Sequence, residues 1–187
     1  AQTQGIDLEA AQAYLNPIHA REGGHLNWYC LDFWSKIVGF DIAQLKQQHA
    51  ANISWRPEAE NFLRRLRASH CEVVLITNAH PETLRIKLQQ IRLEPLLDKV
   101  FTSHSFSAPK EYQIFWQKLQ AASAFDPKRT VFIDDSESVL ASAETYGVAH
   151  LITLRQPDSS QPERTQTRYP AVLHFDELFE GLPHFDG

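Results

Sequence analysis

Apolar positions change rhythm near residue 55. Before that point they recur at helical spacing. In "HLNWYCLDFWSKIVGF" (25–40), Leu26, Cys30, Phe33 and Ile37 share one face, and Leu31, Trp34 and Val38 make a second apolar stripe. That pattern predicts one helix clasped between neighbours. Gly39 is placed to end it. Asp7 is placed to cap a helix through "LEAAQAYL", and Asp41 one through "IAQLKQQHAAN". The first 55 residues hold no convincing strand pattern.

Beyond residue 55 the chain alternates. Pro57 suits the first turn of a helix, "PEAENFLRRLRAS". Its acids come early and its three arginines late, as the helix dipole favours; the arginines read as a solvated face or, alternatively, a phosphate patch. "VVLI" (73–76) is apolar without alternation, which predicts a strand buried on both faces of a parallel sheet. Then follow a helix "ETLRIKLQQI", a strand "KVFTS", a helix "EYQIFWQKLQAAS", a strand "TVFI", a helix "SESVLASAETYG" and a strand "AHLITL". Residues 155–168 are polar and read as a surface loop before a short helix at "FDELFEGL". Alternating strands and helices predict an α/β, doubly wound, Rossmann-like parallel sheet with right-handed crossovers. The chain so divides into a helical unit, 1–55, and an α/β core, 56–187.

Composition narrows the function classes. The 187 residues, 43% apolar and 22% charged, suit one globular domain with a small appendage. A net charge of −5 makes no electrostatic case for nucleic acid or an anionic membrane as partner. No apolar run approaches the length of a membrane-spanning helix. Cys30 and Cys71 lie in apolar stretches and read as two buried thiols, not as a disulfide framework or a zinc site; a reducing cytoplasm is the expected compartment. The chain has no methionine, so Ala1 is not expected to be a translation start.

In open α/β sheets, ligands bind beyond the carboxyl ends of the strands. After "VVLI" stand Thr77, Asn78, Ala79, His80 and Pro81; the loop after "KVFTS" holds Pro109, Lys110 and Glu111; after "TVFI" stand Asp134, Asp135 and Ser136. Each has a plain alternative. Thr77 or Asn78 can cap a turn, Lys110 can be a surface lysine, and the aspartates can cap the helix that follows. One aspartate suffices for a cap, and two adjacent carboxylates repel. The pair fits a divalent cation such as Mg²⁺, which takes one or two carboxylates plus water and phosphate oxygens. His80 reads as a loop histidine with no second histidine or cysteine at ligand spacing. Together the three strand ends describe a phosphate site, with metal and lysine for charge and Thr77 and Asn78 for hydrogen bonds.

The order "LITNAHP", "PKE", "VFIDDSESVLASAETYGV" resembles motifs two, three and four of the haloacid dehalogenase-like (HAD) hydrolases, over about residues 56–155. The helical start resembles the cap that members insert after their first motif. "HLNWYCLDFW" with "LITNAHP" and "FIDDSE" is similar, more narrowly, to the bacterial GMP/IMP nucleotidases of that family. The resemblance implies a Mg²⁺-dependent phosphomonoesterase acting on a purine nucleoside 5′-monophosphate. Thr77, with Asn78 beside it, would hold the phosphoryl group and Lys110 would offset its charge. Asp135 would be the main Mg²⁺ ligand, with Asp134 assisting. His25 and Asn27 would contact substrate from the cap, as candidates alongside Trp28 and Tyr29. An aspartate on the first strand would be the nucleophile, and a second aspartate two residues on the general acid and base.

The sequence departs from the family at that point: no Asp-x-Asp after an apolar strand precedes the helical unit, and Asp7, Asp32 and Asp41 sit at helix positions. In the family's sheet the missing strand is central. Its absence predicts a gap of roughly 10 Å between the strands at 73–76 and 130–133, and an N-terminus lying upstream of Ala1. The other readings are another HAD phosphatase, a sugar-phosphate mutase or dehalogenase, a receiver-type signalling module, and a chain that binds without turnover. A receiver places its acidic pair first and its lysine last; here the order is Thr77, Lys110, then Asp134 and Asp135.

Overall fold

The computed structural model describes residues 7–181. Four helices come first: α1 (Leu8–Glu22), α2 (Leu26–Tyr29), α3 (Leu31–Val38) and α4 (Ile42–Gln48). The caps read from the sequence are in place. Asp7 accepts from the Ala10 N–H at 2.7 Å and Asp41 from the Gln44 N–H at 3.1 Å. Gly39 ends α3 in the left-handed region, at φ 72°.

One expectation fails here. The single helix predicted across 25–38 is broken at Cys30, which is extended (φ −87°, ψ 113°). In an unbroken helix the Trp28 carbonyl would accept from the Asp32 N–H. Instead it accepts from the indole N–H of Trp34, at 2.9 Å. An aromatic side chain has replaced a backbone donor, and the chain turns.

From α5 (Ala59–Arg67) onward strands and helices alternate: β1 (Val74–Thr77), α6 (Pro81–Ile91), β2 (Lys99–Thr102), α7 (Ser103–Phe106), α8 (Gln113–Ala122), β3 (Val131–Ile133), α9 (Glu137–Tyr146), β4 (His150–Leu154), β5 (Ala171–Val172) and α10 (Glu177–Gly181). Pro57 does not sit in the first turn of α5. Glu58 is left-handed, at φ 61°, so the helix starts at Ala59. The arginines of α5 do not gather as a phosphate patch. Arg64 bonds Glu60, Arg65 lies over the Phe179 ring at 3.5 Å, and Arg67 pairs with Asp98. The two-residue strand β5 was not foreseen.

All pairings are parallel. β1 pairs with β2, in register Val74 with Lys99 to Thr77 with Thr102, while β3, β4 and β5 form a second sheet in that order. Among the described residues β1 and β3 are not paired, so each is an edge strand of its sheet. This changes the burial of β1. It was read as covered on both faces, yet Val74 is 36% exposed and Leu75 and Ile76 are half-buried.

Side chains of the second sheet alternate between two cores, as period 2 requires. Phe132 and Leu151 point into a cluster with Phe115, Trp116 and Leu119 of α8 and Val139, Leu140 and Ala143 of α9. Val131, Ile133 and Ile152 point the other way, to Phe62 of α5 and Leu178 of α10. Helices thus cover both faces, which defines the doubly wound architecture. Ile76 of β1 and Phe101 of β2 pack against the first cluster, so one layer of helices spans both sheets. Cys30 and Cys71, expected to be buried, are half-buried, and both are free thiols. Among the described residues no helix is long and apolar enough to cross a membrane.

Candidate active site

The loop after β2 meets the ends of both β1 and β3, through Lys110 with Asn78 and with Asp134. Lys110, for which a surface position was the alternative, is only 8% exposed. Its ammonium forms an ion pair with the Asp134 carboxylate, which is also largely buried. The pair spans from the loop after β2 to the tip of β3, across the interval that separates the two sheets. Burial pushes the Asp134 carboxyl above the usual carboxylate range, and Lys110 pulls it back only in part. The other oxygen of Asp134 accepts from the Ser136 N–H at 2.9 Å, making the turn into α9.

Asp134 therefore does what a single capping residue can do, and Asp135 is left over. The Asp135 side chain is exposed, and its backbone carbonyl accepts from Arg164 at 3.0 Å. Its carboxylate is open to a ligand. The donors here are hard carboxylate oxygens, the chemistry that Mg²⁺ takes. The residues present fit that ion, with Asp135 the free ligand and Asp134 beside it.

Asn78 is 7% exposed and fully engaged. Its side-chain oxygen accepts from the Lys110 N–H at 2.9 Å, its amide donates to Glu111 at 2.9 Å, and its carbonyl accepts from the Ser103 hydroxyl at 3.3 Å. It locks the end of β1 to the loop that carries Lys110. Thr77 accepts from the Ala79 N–H at 3.0 Å, which leaves its hydroxyl proton free to donate. The turn-capping alternative for Thr77 is therefore realised.

The helical region reaches this cluster through Tyr29, whose hydroxyl donates to Glu111 at 2.7 Å. Burial, and then that bond, push the Tyr29 phenol well above its ordinary pKa. Glu111 so ties α2 to the strand end of β1 through Asn78. It lies beside Lys110 in the sequence but was given no role there. Trp28 turns elsewhere, packing edge-on to His19 at 5.1 Å and beside Trp34.

His25 and Asn27 line an open cavity of about 410 Å³ with Arg21, Glu22 and Leu26. His25 lies 3.5 Å from the Tyr112 hydroxyl, and Asn27 donates to Glu22 at 3.0 Å. Glu22 was missed by the sequence reading. Its carboxyl is held below the usual range by hydrogen bonds from Arg21 and then Asn27. The signal was present: a glutamate in the last turn of a helix opposes the macrodipole and needs a local reason. His80 caps α6 and does not stand alone, since it faces His104 and Cys30.

The chain has a doubly wound α/β fold and belongs to the HAD-like hydrolases. The family model for NLI interacting factor-like phosphatase matches residues 24–150. GMP/IMP nucleotidase YrfG of Escherichia coli (strain K12) is 34% identical over 178 residues, 95% of this chain and 80% of its own length. The protein of the same name from Shigella flexneri matches equally. Among solved structures, a HAD phosphatase from Thermococcus onnurineus superposes with a TM-score of 0.78 at 19% identity, covering 96% of this chain and 82% of that one. L-2-haloacid dehalogenase from Xanthobacter autotrophicus reaches 0.62 at 14% identity, covering 89% and 81%. These two support the fold alone.

Proposed function

We propose that this protein is a Mg²⁺-dependent phosphomonoesterase that hydrolyses 6-oxopurine nucleoside 5′-monophosphates, GMP and IMP. The observation that carries the reading is the buried Lys110–Asp134 pair beside an exposed Asp135. The 34% identity to a GMP/IMP nucleotidase supports the substrate. Mg²⁺ bound at Asp135 and Asp134 would offset charge on the phosphate oxygens. Thr77 would donate its hydroxyl proton to one of those oxygens, and Lys110 would stabilise the charge that develops as the phosphoryl group transfers. Asn78 and Glu111 position the lysine loop. The nucleophilic aspartate implied by the family resemblance belongs on a strand seated between β1 and β3. Attack by its carboxylate at phosphorus would break the ester P–O bond. A proton from the neighbouring aspartate would go to the departing 5′-oxygen, and water would then cleave the acyl-phosphate to inorganic phosphate.

The helical region through residue 55 would act as a cap over the nucleotide, excluding water from the reacting phosphoryl group. The cavity at Glu22 and Asn27 suits its base. GMP and IMP share an N1–H donor beside an O6 acceptor. A carboxylate next to a side-chain amide is the complementary pair, with His25 at the same rim. The test is Glu22→Gln in the full-length protein. The Michaelis constant for GMP and IMP should rise about 10-fold, the size of one weakened charge-assisted hydrogen bond. Hydrolysis of a small sugar phosphate should be unchanged. Equal losses on nucleotides and sugar phosphates would remove the base-reading role.

A further inference from the structure

Three potential metal ligands meet outside the carboxylate site. Cys30 stands at the break between α2 and α3, His80 at the N-cap of α6 beyond β1, and His104 in α7 beyond β2. One donor atom from each lies within 4.8 Å of the other two. The imidazoles stand edge to face with centroids 5.0 Å apart. Both ring nitrogens of His104 are buried and have no hydrogen-bond partner. Buried polar atoms are almost always paired, so both imidazole nitrogens of His104 are available to a ligand.

We propose that Cys30, His80 and His104 form a binding site for a thiophilic transition-metal ion, with Zn²⁺ as the best match. One thiolate and two imidazoles are a zinc donor set, too soft for Mg²⁺. Zinc–ligand distances of about 2.0 to 2.3 Å put tetrahedral donors roughly 3.3 to 3.7 Å apart. The three donors therefore need to close by at most about 1.5 Å, within reach of side-chain rotation. His80 Nδ1 now accepts a long bond, 3.3 Å, from the Glu82 N–H. Binding through Nε2 moves the ring proton to Nδ1 and gives up that bond. Asp32, an exposed carboxylate 3.8 Å from His80 Nε2, is a candidate fourth donor. The ion would pin the turn at Cys30 to the ends of β1 and β2, holding the helical region against the strand ends. The donor set shares no residue with Asp134 and Asp135, and the proposal does not depend on the phosphatase reading.

Cobalt(II) is the probe, because a thiolate ligand gives a charge-transfer band that carboxylates cannot give. With Mg²⁺ in excess to fill the carboxylate site, titration of the reduced full-length protein should saturate that band and the tetrahedral d–d absorption at one Co²⁺, and Zn²⁺ should displace it. The band should vanish in Cys30→Ser, and affinity should fall at least about 10-fold in His104→Gln. Cys71→Ser and Asp135→Asn should keep the full spectrum. Zn²⁺ at about 100 times its dissociation constant should raise the melting temperature of the parent by roughly 5 °C or more, and that of His104→Gln by much less. The second readout decides the matter if Cys30→Ser misfolds. No charge-transfer band in the parent, a band that survives Cys30→Ser, or one lost in Cys71→Ser would overturn the proposal.

Discussion

Lys110→Ala in the full-length protein is expected to lower kcat for GMP by about 10²- to 10³-fold or more, the usual cost of removing one preorganised charge from a transition state. The structure gives two reasons for a large effect. The ammonium is buried, so little water is present to screen it. It also opposes the burial that pushes Asp134 toward its protonated form. Without Lys110, Asp134 loses its counter-charge and becomes a poorer partner for a cation. The Mg²⁺ concentration needed for half-maximal rate should therefore rise as well. Breaking a buried pair from one side also destabilises by about 3–5 kcal/mol, so a thermal melt must accompany the kinetics. Asp134→Asn in the Lys110→Ala background removes the stranded carboxylate and should recover stability without recovering rate. Turnover by Lys110→Ala within about 3-fold of the parent would overturn the role given to this lysine.

Trp116→Ala should have the largest effect on stability. Trp116 is 2% exposed and packs edge-on against Phe115 and Phe132. Its indole N–H donates to the Lys110 carbonyl and to the Ser142 hydroxyl, both at 3.0 Å. It therefore joins α9 and the lysine loop to the main core. Truncation to alanine should cost about 3–5 kcal/mol for the lost packing and cavity, a large share of a typical domain's 5–15 kcal/mol. Trp116→Phe keeps most of the ring and loses the donor, for about 1–3 kcal/mol. Denaturant midpoints measure both. The phenylalanine variant should also show reduced turnover, because the carbonyl it frees belongs to Lys110. A loss below about 1 kcal/mol for alanine would show that the indole does not hold this junction.

Local signals were legible in the sequence. Asp7 and Asp41 cap the helices expected of them, Gly39 ends α3, and the strands at 99–102, 131–133 and 150–154 stand where apolar runs placed them. Each depends on a few adjacent residues. The break at Cys30 did not show, because its cause is an indole six residues from the carbonyl it satisfies. β5 did not show because two residues carry no periodicity; it exists by pairing with β4.

The candidate site divides the same way. Thr77, Lys110, Asp134 and Asp135 could be put forward because strand ends in this architecture face one place, and the fold pairs Lys110 with Asp134. Glu111 could not: its role is to bridge Asn78 and Tyr29, which lie 33 and 82 residues away from it. His80 was read as solitary because ligand spacing was sought along the chain. Its neighbours Cys30 and His104 arrive from separate elements, and the fold alone brings them together.

The proposed function is that of a Mg²⁺-dependent nucleotidase built on the strand ends of β1, β2 and β3. Phosphate release by the full-length protein from a panel of nucleoside 5′-monophosphates and sugar phosphates, with Mg²⁺ and with chelator, tests it most directly. GMP and IMP should be turned over fastest, and chelation should abolish the rate. Preference for a sugar phosphate would contradict the substrate assignment, and undiminished turnover in chelator would contradict the metal role of Asp134 and Asp135.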